Sequence, residues 1–225
     1  MNINHYTKIF IKNIMLGLGN VHLSLTNHDH VLHAVEKAYI AMSPRTFDKL
    51  RDDAEIDVVA KKAVLSKLAQ KVVDYFKAPA PATQAKFDEW HKDTCDRFID
   101  EFNNKVMRPS GYEDIEYGKA QKIVNIAFKY LYLFCDIVPG NPGHFPFCHF
   151  AIDSITLAWY KNHIDSNCSV GNWSDMTYGE YIEIQKNIRA YISKNMPDKT
   201  PFEAEFEIWS YLYYEKEKTD SEIDN

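Results

Sequence analysis

Glycine, cysteine pairs and long apolar runs are scarce in this 225-residue chain, and each scarcity excludes a class of protein. The chain has 8 glycines and no Asn-Gly dipeptide, so β-hairpin turns have little support. Its 4 cysteines form no Cys-x-x-Cys pair, which indicates free thiols in a reducing compartment. No apolar run approaches the roughly 18 residues of a membrane span, and no signal-peptide core is recognisable. We therefore expect a cytoplasmic protein with no membrane partner.

Positive charge is also in deficit. The chain carries 26 Lys and Arg against 32 Asp and Glu, for a net charge of −6. This charge argues against broad coating of nucleic acid but leaves a local basic face open.

Two common catalytic motifs are absent from the sequence, since it has no glycine-rich phosphate loop and no nucleophile elbow around a serine or cysteine. The 13 Phe, 14 Tyr and 4 Trp can bury much apolar surface, so disorder is excluded as the main state.

Helical periodicity dominates what is there, and it predicts an all-α fold with a single compact multi-helix domain over residues 1–218 and a frayed acidic tail over 219–225. The Ala-Pro-Ala-Pro run breaks a helix and marks a candidate seam near 78–82. A Thr-Pro-Phe-Glu capping box predicts a last helix from residue 201. The other helices are predicted over 4–16, from Asp29 to Pro44, over 54–77, 83–107, 118–135 and 151–163, and from Asp175 or Thr177 to about Lys194.

The most informative element is the helix predicted over 118–135, which is apolar nearly all round and is therefore expected at the centre of the fold. It still carries Gln121, Lys122, Asn125 and Lys129 on one face. Burial of an unpaired amine or amide costs several kcal/mol, so this polar stripe must meet partners, water or a ligand. The alternative is that its lysines reach solvent while their stems cover the core.

Asp153 is the second informative position, because it follows a proline-containing loop at a predicted helix start. It is either a simple N-cap or a carboxylate aimed at a group held by the polar stripe. His149 lies four residues earlier and shares its face if the helix begins early enough. A lysine freed of its proton is a nucleophile, and a nearby carboxylate can take a proton or oppose positive charge on a sugar ring.

The segments Gly118–Lys129 (GKAQKIVNIAFK) and His149–Ser154 (HFAIDS) resemble the core of the helix-hairpin-helix DNA glycosylases. They are most similar to the archaeal-type 8-oxoguanine glycosylase branch, and the resemblance covers about residues 105–162. It implies an all-helical fold with a helix-hairpin-helix element, base-excision activity on double-stranded DNA and no cofactor.

The resemblance also implies roles for single residues. Lys122 matches the lysine nucleophile and Asp153 the catalytic aspartate, while Lys119 and Lys129 are rival nucleophiles. The damaged, oxidised base would be flipped into a pocket, and Lys122 would displace it from the sugar and form an imine that permits strand cleavage. Expected substrate contacts are Gln121, Asn125, Phe128, Lys129, His149 and Trp159, and expected DNA-backbone contacts are Lys105, Arg108, Gly118 and Lys119.

Two other classes of function stay open. A non-catalytic helical protein that binds a protein partner, such as a phage-borne or bacterial defence regulator, fits the acidic charge, the aromatic run Trp209–Tyr214 and the lack of a Gly-x-Gly hairpin. A metal-dependent hydrolase would need a site among His22, His28, His30 and His33, or among His144, Cys148, His149 and Asp153. Because no second ligand pair is obvious, we predict no metal.

Overall fold

The computed structural model describes residues 5–17, 23–41, 58–135 and 142–223. Within these ranges the chain forms eight α-helices and no strand beyond an isolated bridge, which confirms the predicted all-α class. The helices are α1 His5–Leu16, α2 His28–Ala41, α3 Val58–Lys77, α4 Gln84–Phe102, α5 Tyr117–Phe134, α6 Ser154–His163, α7 Tyr178–Asn195 and α8 Pro201–Ile223. The last helix therefore continues into the charged segment 219–225.

Several helix ends follow directly from local side-chain chemistry. Gly17 adopts a φ of +67° just after α1, a conformation that glycine accepts without strain. Thr177 caps α7 in a capping box with Glu180. The box predicted before α8 is confirmed, because Thr200 Oγ1 accepts from the Glu203 amide and Glu203 Oε2 accepts from the Thr200 amide.

Other predicted ends are wrong. Helix α2 is capped by Asn27, whose Oδ1 accepts from the amides of Asp29 and His30, so Asp29 lies inside the first turn. Its predicted stop at Pro44 and residues 54–57 of the next predicted helix lie outside the described residues. Helix α4 ends at Phe102 rather than 107, because the chain changes to a π-helical turn over Asn103–Met107.

Helix α6 begins at Ser154 rather than 151, because Asp153 caps it with an extended backbone. His149 and Asp153 therefore do not share a helical face. The five residues from His149 to Asp153 are instead an extended, buried segment that crosses the interior.

Helix α5 lies at the centre of the fold, as its apolar character predicts. It packs against α2, α4, α7 and the short 3-10 turn Trp173–Asp175. An aromatic cluster covers one of its faces, where Phe128 is 5.5 Å from Tyr75 and 5.6 Å from Trp90 between ring centroids. Tyr75 and Phe87 contact each other at 5.8 Å, so the core continues across residues 78–82.

Candidate active site

The fold brings Lys122 and Asp153 together although they are 31 positions apart in the chain. Lys122 Nζ on α5 is 3.6 Å from Asp153 Oδ2 at the start of α6. The side chains are 12% and 13% exposed, so the ion pair lies near the surface but largely out of water. An amine and a carboxylate so placed can exchange a proton and can act on the same substrate atom.

The carboxylate of Asp153 is held at both of its oxygens. Oδ1 accepts hydrogen bonds from the amides of Ile155 and Thr156, each at 3.0 Å, and so caps α6. Oδ2 accepts from the indole Nε1 of Trp209 on α8 at 3.2 Å and faces Lys122. Asp153 is thus the N-cap of α6, and the cap leaves its other oxygen directed at the amine of Lys122.

The amine of Lys122 lies 4.5 Å from the ring centroid of Trp173, in a cation–π contact. The position of Trp173 depends on Gly118, because the 3-10 turn Trp173–Asp175 approaches the start of α5 at this glycine. The Gly118 amide donates to the Met176 carbonyl at 3.0 Å, and a Cβ at residue 118 would lie 1.8 Å from the Trp173 carbonyl oxygen. Only a residue without a side chain allows this approach.

Lys129 pairs with Glu205 of α8, whose side chain is 1% exposed. The other oxygen of Glu205 accepts from the Ala151 amide at 2.6 Å. Burial raises the pKa of Glu205 to about 7, against the opposing effect of the Lys129 charge. The amine of Lys129 thus pairs with a buried carboxylate, whereas the amine of Lys122 pairs with a carboxylate near the surface.

The two amides of the polar stripe are also satisfied inside the protein. Gln121 bonds both backbone groups of Ile152, and its Oε1 also accepts from Asn125 Nδ2 at 3.0 Å. Asn125 donates further to the hydroxyl of Tyr181 at 2.9 Å, and its Oδ1 accepts from His91 Nε2 at 3.1 Å. The expectation that the stripe must meet partners is therefore confirmed.

His149 connects this network to the surface. Nδ1 accepts from the Tyr181 hydroxyl at 2.8 Å, and Nε2 donates to Asp88 Oδ1 at 2.7 Å, because a carboxylate only accepts. Burial lowers the pKa of His149, so the ring is neutral near pH 7. Burial alone would raise the pKa of Asp88, but the hydrogen bond from His149 and the charge of Arg189 lower it to about 2.

The two aromatic side chains expected to contact substrate are also internal. Phe128 is 1% exposed within the aromatic cluster, and Trp159 is 7% exposed and stacks on Phe150 at 5.5 Å. A direct substrate contact at any of six positions would require an internal contact to break. These positions are Gln121, Asn125, Phe128, Lys129, His149 and Trp159.

The expected DNA-backbone residues lie in and after the connection between α4 and α5. Lys105 Nζ is 2.9 Å from Glu101, and Arg108 Nε donates to Asp114 at 2.9 Å, while Lys119 is partly exposed. Each of the two paired cations would therefore exchange a carboxylate for a phosphate on binding DNA.

The same connection contains the π-helical turn, a 3-10 turn over Arg108–Ser110 and Gly111 at a φ of +73°. The Gly111 amide donates to Arg108 O and the Tyr112 amide donates to Met107 O. The Gly118 amide is bonded to Met176, as described above. These three amides of the connection therefore have partners within the chain, and a helix-hairpin-helix element is not evident in this described part of it.

The histidines near the N-terminus have structural partners. His28 Nε2 donates to the Ser66 carbonyl at 3.0 Å, and His30 Nδ1 accepts from the Ser24 amide at 3.1 Å. His33 Nδ1 donates to the Asp29 carbonyl at 2.6 Å, while His22 lies outside the described residues. No group of three or more His, Cys, Asp or Glu in the described ranges could hold a metal ion, so the hydrolase alternative has no site there.

A groove of about 240 Å³ lies elsewhere, between α3 and α4. Val64, Leu68 and Phe98 form its apolar lining, with charged side chains beside them, and it contains neither Lys122 nor Asp153. Thr94 also lines it, is 1% exposed and has a hydroxyl without a hydrogen-bond partner among the described residues.

The residues that contact the ion pair or the segment before Asp153 and were not predicted include Trp173, Gln185, Glu205 and Trp209. Gln185 carries a readable signal, since it lies on the same helical face as Tyr181, Ile188 and Ile192. Glu205 likewise lies between Phe202 and Trp209 at helical spacing. A polar residue on an apolar face indicates an internal partner, but spacing alone does not name that partner.

Comparisons of the chain with protein family models, with curated proteins and with solved structures found no match. The likeness to DNA glycosylases therefore depends on the segments within residues 105–162, and function has to be argued from the site. None of the helices in the described ranges has the length and apolar composition needed to cross a membrane.

Proposed function

We propose that this protein is a DNA base-excision glycosylase/lyase, with Lys122 as the nucleophile and Asp153 as the catalytic carboxylate. The observation that carries the proposal is the 3.6 Å separation of Lys122 Nζ and Asp153 Oδ2. The resemblance in sequence assigns these two residues without reference to their distance, so the separation is independent support. Lys119 is less well placed, because no carboxylate partner of its amine is among the described contacts.

In the proposed reaction, the amine of Lys122 first gives up a proton towards Asp153. The neutral Nζ then forms a bond to the sugar C1′ as the glycosidic bond breaks, and the base leaves with the bonding electrons and takes the proton from Asp153, which becomes a carboxylate again. The C1′–O4′ bond of the sugar ring then breaks, O4′ takes up one proton from Nζ, and the product is a protonated imine at C1′. Asp153 opposes the positive charge that develops on the sugar during this step.

Access to the amine sets a condition on this reaction. The Trp173 ring and the Trp209 indole both lie against the ion pair, and the Lys122 side chain is 12% exposed, so an extruded base would contact these rings as it reaches the amine. Duplex binding must also separate Lys105 and Arg108 from Glu101 and Asp114. We therefore expect weak, strongly salt-dependent binding of undamaged DNA.

Borohydride trapping tests the proposal. Duplexes with an abasic site, 8-oxoguanine or another oxidised base are incubated with the protein and borohydride, which reduces an imine to a stable lysine–DNA adduct. We expect an adduct with the wild type, none with Lys122→Met, and an undiminished adduct with the matched variant Lys119→Met. Asp153→Asn keeps a good N-cap and should slow trapping without unfolding the protein.

Peptide mapping of the adduct makes the test specific, because exposed lysines also react slowly with abasic sites. An adduct at Lys119 or Lys129 would reassign the nucleophile. No adduct with any of these duplexes would refute the proposed function.

The alternative is a non-catalytic protein that binds a protein partner, and one observation favours it. Tyr211 and Tyr214 on α8 are 64% and 65% exposed, which is unusual for large aromatic side chains. Under this alternative, Tyr211→Ser with Tyr214→Ser abolishes the cellular function of the protein, while Lys122→Met leaves it intact. The glycosylase proposal requires instead that Lys122→Met abolish the cellular function.

A further inference from the structure

The buried segment from His149 to Asp153 raises a problem that an all-helical protein rarely faces. Its residues are at most 9% exposed, and its backbone belongs to neither a helix nor a sheet. Buried amide and carbonyl groups must still find hydrogen-bond partners, because an unpaired one costs about 1–3 kcal/mol.

Side chains from three helices, together with Thr156 of α6, supply these partners, one residue after another. Gln185 of α7 accepts from the Phe150 amide at 3.2 Å and donates to the Phe150 carbonyl at 2.6 Å. Gln121 of α5 does the same for Ile152, at 3.2 Å and 2.6 Å. Each side-chain amide thus reproduces the pair of bonds by which neighbouring β-strands hold each other.

Ala151 lies between these two residues, and its amide bonds a side chain of the third helix, α8. The Ala151 amide donates to Glu205 Oε2 of α8 at 2.6 Å, and the Ala151 carbonyl accepts from Thr156 Oγ1 at 3.0 Å. The backbone amides of three consecutive residues are therefore all bonded, immediately before Asp153.

We propose that Gln185, Gln121 and Glu205 are positioning residues that hold Asp153 against the amine of Lys122; the inference rests on the proposed function. Asp153 follows the bonded residue Ile152 directly, so its Cα cannot shift unless these bonds break. Gln121 is also the neighbour of Lys122 on α5. One helix therefore carries both the amine and a residue that fixes the partner carboxylate.

Asn103 provides a matched control. It forms the same two bonds with a different backbone, donating to the Ile115 carbonyl at 3.2 Å and accepting from the Ile115 amide at 2.8 Å. It is 4% exposed, and none of its described bonds involves the segment before Asp153. Asn103→Leu thus removes an equivalent interaction without touching the proposed site.

The experiment needs a readout that a purely structural role would not change. The Trp209 indole N–H donates to Asp153 Oδ2, and the chain has 4 tryptophans, so its proton resonance can be resolved and identified with Trp209→Phe. In Gln185→Met we expect this resonance to move upfield as the bond lengthens, and the rate of borohydride trapping to fall about 10- to 100-fold. Asn103→Leu should leave the resonance unchanged.

A second variant covers the case in which Gln185→Met does not fold. Gln185→Glu keeps an acceptor for the Phe150 amide and loses the donor to its carbonyl, so its resonance and trapping rate should lie between those of the wild type and Gln185→Met. A folded Gln185→Met or Gln185→Glu with the wild-type resonance would overturn the inference, as would an equal shift in Asn103→Leu. If the wild type traps no DNA, the proposed function fails, and the resonance still decides whether the three residues position Asp153.

Discussion

Gly118→Ala tests whether the close approach of the Trp173–Asp175 turn to α5 holds this part of the molecule together. An alanine Cβ would lie 1.8 Å from the Trp173 carbonyl oxygen and 2.9 Å from its carbonyl carbon. Real Cβ atoms essentially never have contacts shorter than 3.0 Å, so the turn must move away by at least roughly 1.2 Å. The obstacle is backbone, which cannot rotate aside as a flexible side chain would.

The size of the effect follows from what that movement breaks. Overpacking of this kind costs about 1–3 kcal/mol, and the loss of the hydrogen bond from the Gly118 amide to Met176 adds about 1 kcal/mol. The better helix propensity of alanine returns up to about 1 kcal/mol. We expect the free energy of unfolding to fall by about 2 kcal/mol and Tm by about 4–8 °C.

Gly179 supplies the control, because it occupies the same second position of its helix, also after a tyrosine. A Cβ there meets nothing nearer than Thr177 Oγ1 at 3.9 Å, so Gly179→Ala should keep or raise stability. Urea and thermal unfolding measure both variants, and tryptophan fluorescence follows the displacement of Trp173 from Lys122. A Gly118→Ala protein as stable as Gly179→Ala would refute the packing argument.

Three further predictions concern single buried groups. Thr94→Val removes a buried hydroxyl without a partner among the described residues and should raise the free energy of unfolding by about 1 kcal/mol in urea titrations; a loss of stability would mean that the hydroxyl is satisfied. Glu205 has a folded-state pKa of about 7, above its ordinary 4.5. Its contribution to the free energy of unfolding is therefore full below pH 4.5 and is lost as the pH rises through 7. Urea unfolding should therefore show the wild type losing stability relative to Glu205→Gln between pH 4.5 and 8, and parallel pH profiles would contradict this. Asp153→Ala removes the cap of α6 and should cost about 1 kcal/mol more than Asp153→Asn in the same assay, whereas equal losses would show that the cap is unimportant.

Much of the fold could be predicted from the sequence, because helices are local. Apolar residues at three- to four-residue spacing predict the helices themselves, and Thr200 with Glu203 predicts where the last one begins. The wrong predictions concern helix ends, where a side chain other than the expected one determines the boundary. Asn27 caps α2 ahead of Asp29, and the chain leaves the α-helical pattern at Asn103, whose side chain bonds Ile115.

The candidate site was predictable in part, for a different reason. Lys122 and Asp153 belong to the two short segments that carry the resemblance, which singles them out but gives no distance between them. Trp173 and Gln185 reach the site only through tertiary packing, from positions more than 19 residues away along the chain. Spacing within one helix indicates that Gln185 faces inward. It does not indicate that the partner is the backbone of Phe150.

The buried extended segment bears on the choice between the two proposed functions. A helix that began at residue 151 would bond the carbonyls of Ala151 and Ile152 within itself and would need outside partners only for the amides of its first turn. The chain instead buries Gln121, Gln185 and Glu205 to hold this segment, which ends with Asp153 beside Lys122. A partner-binding role for the exposed tyrosines of α8 makes no use of this arrangement. A reaction that needs a carboxylate at a fixed distance from an amine does use this arrangement. The clearest test between the two functions is therefore whether Gln185→Met alters the trapping rate or only the stability of the protein.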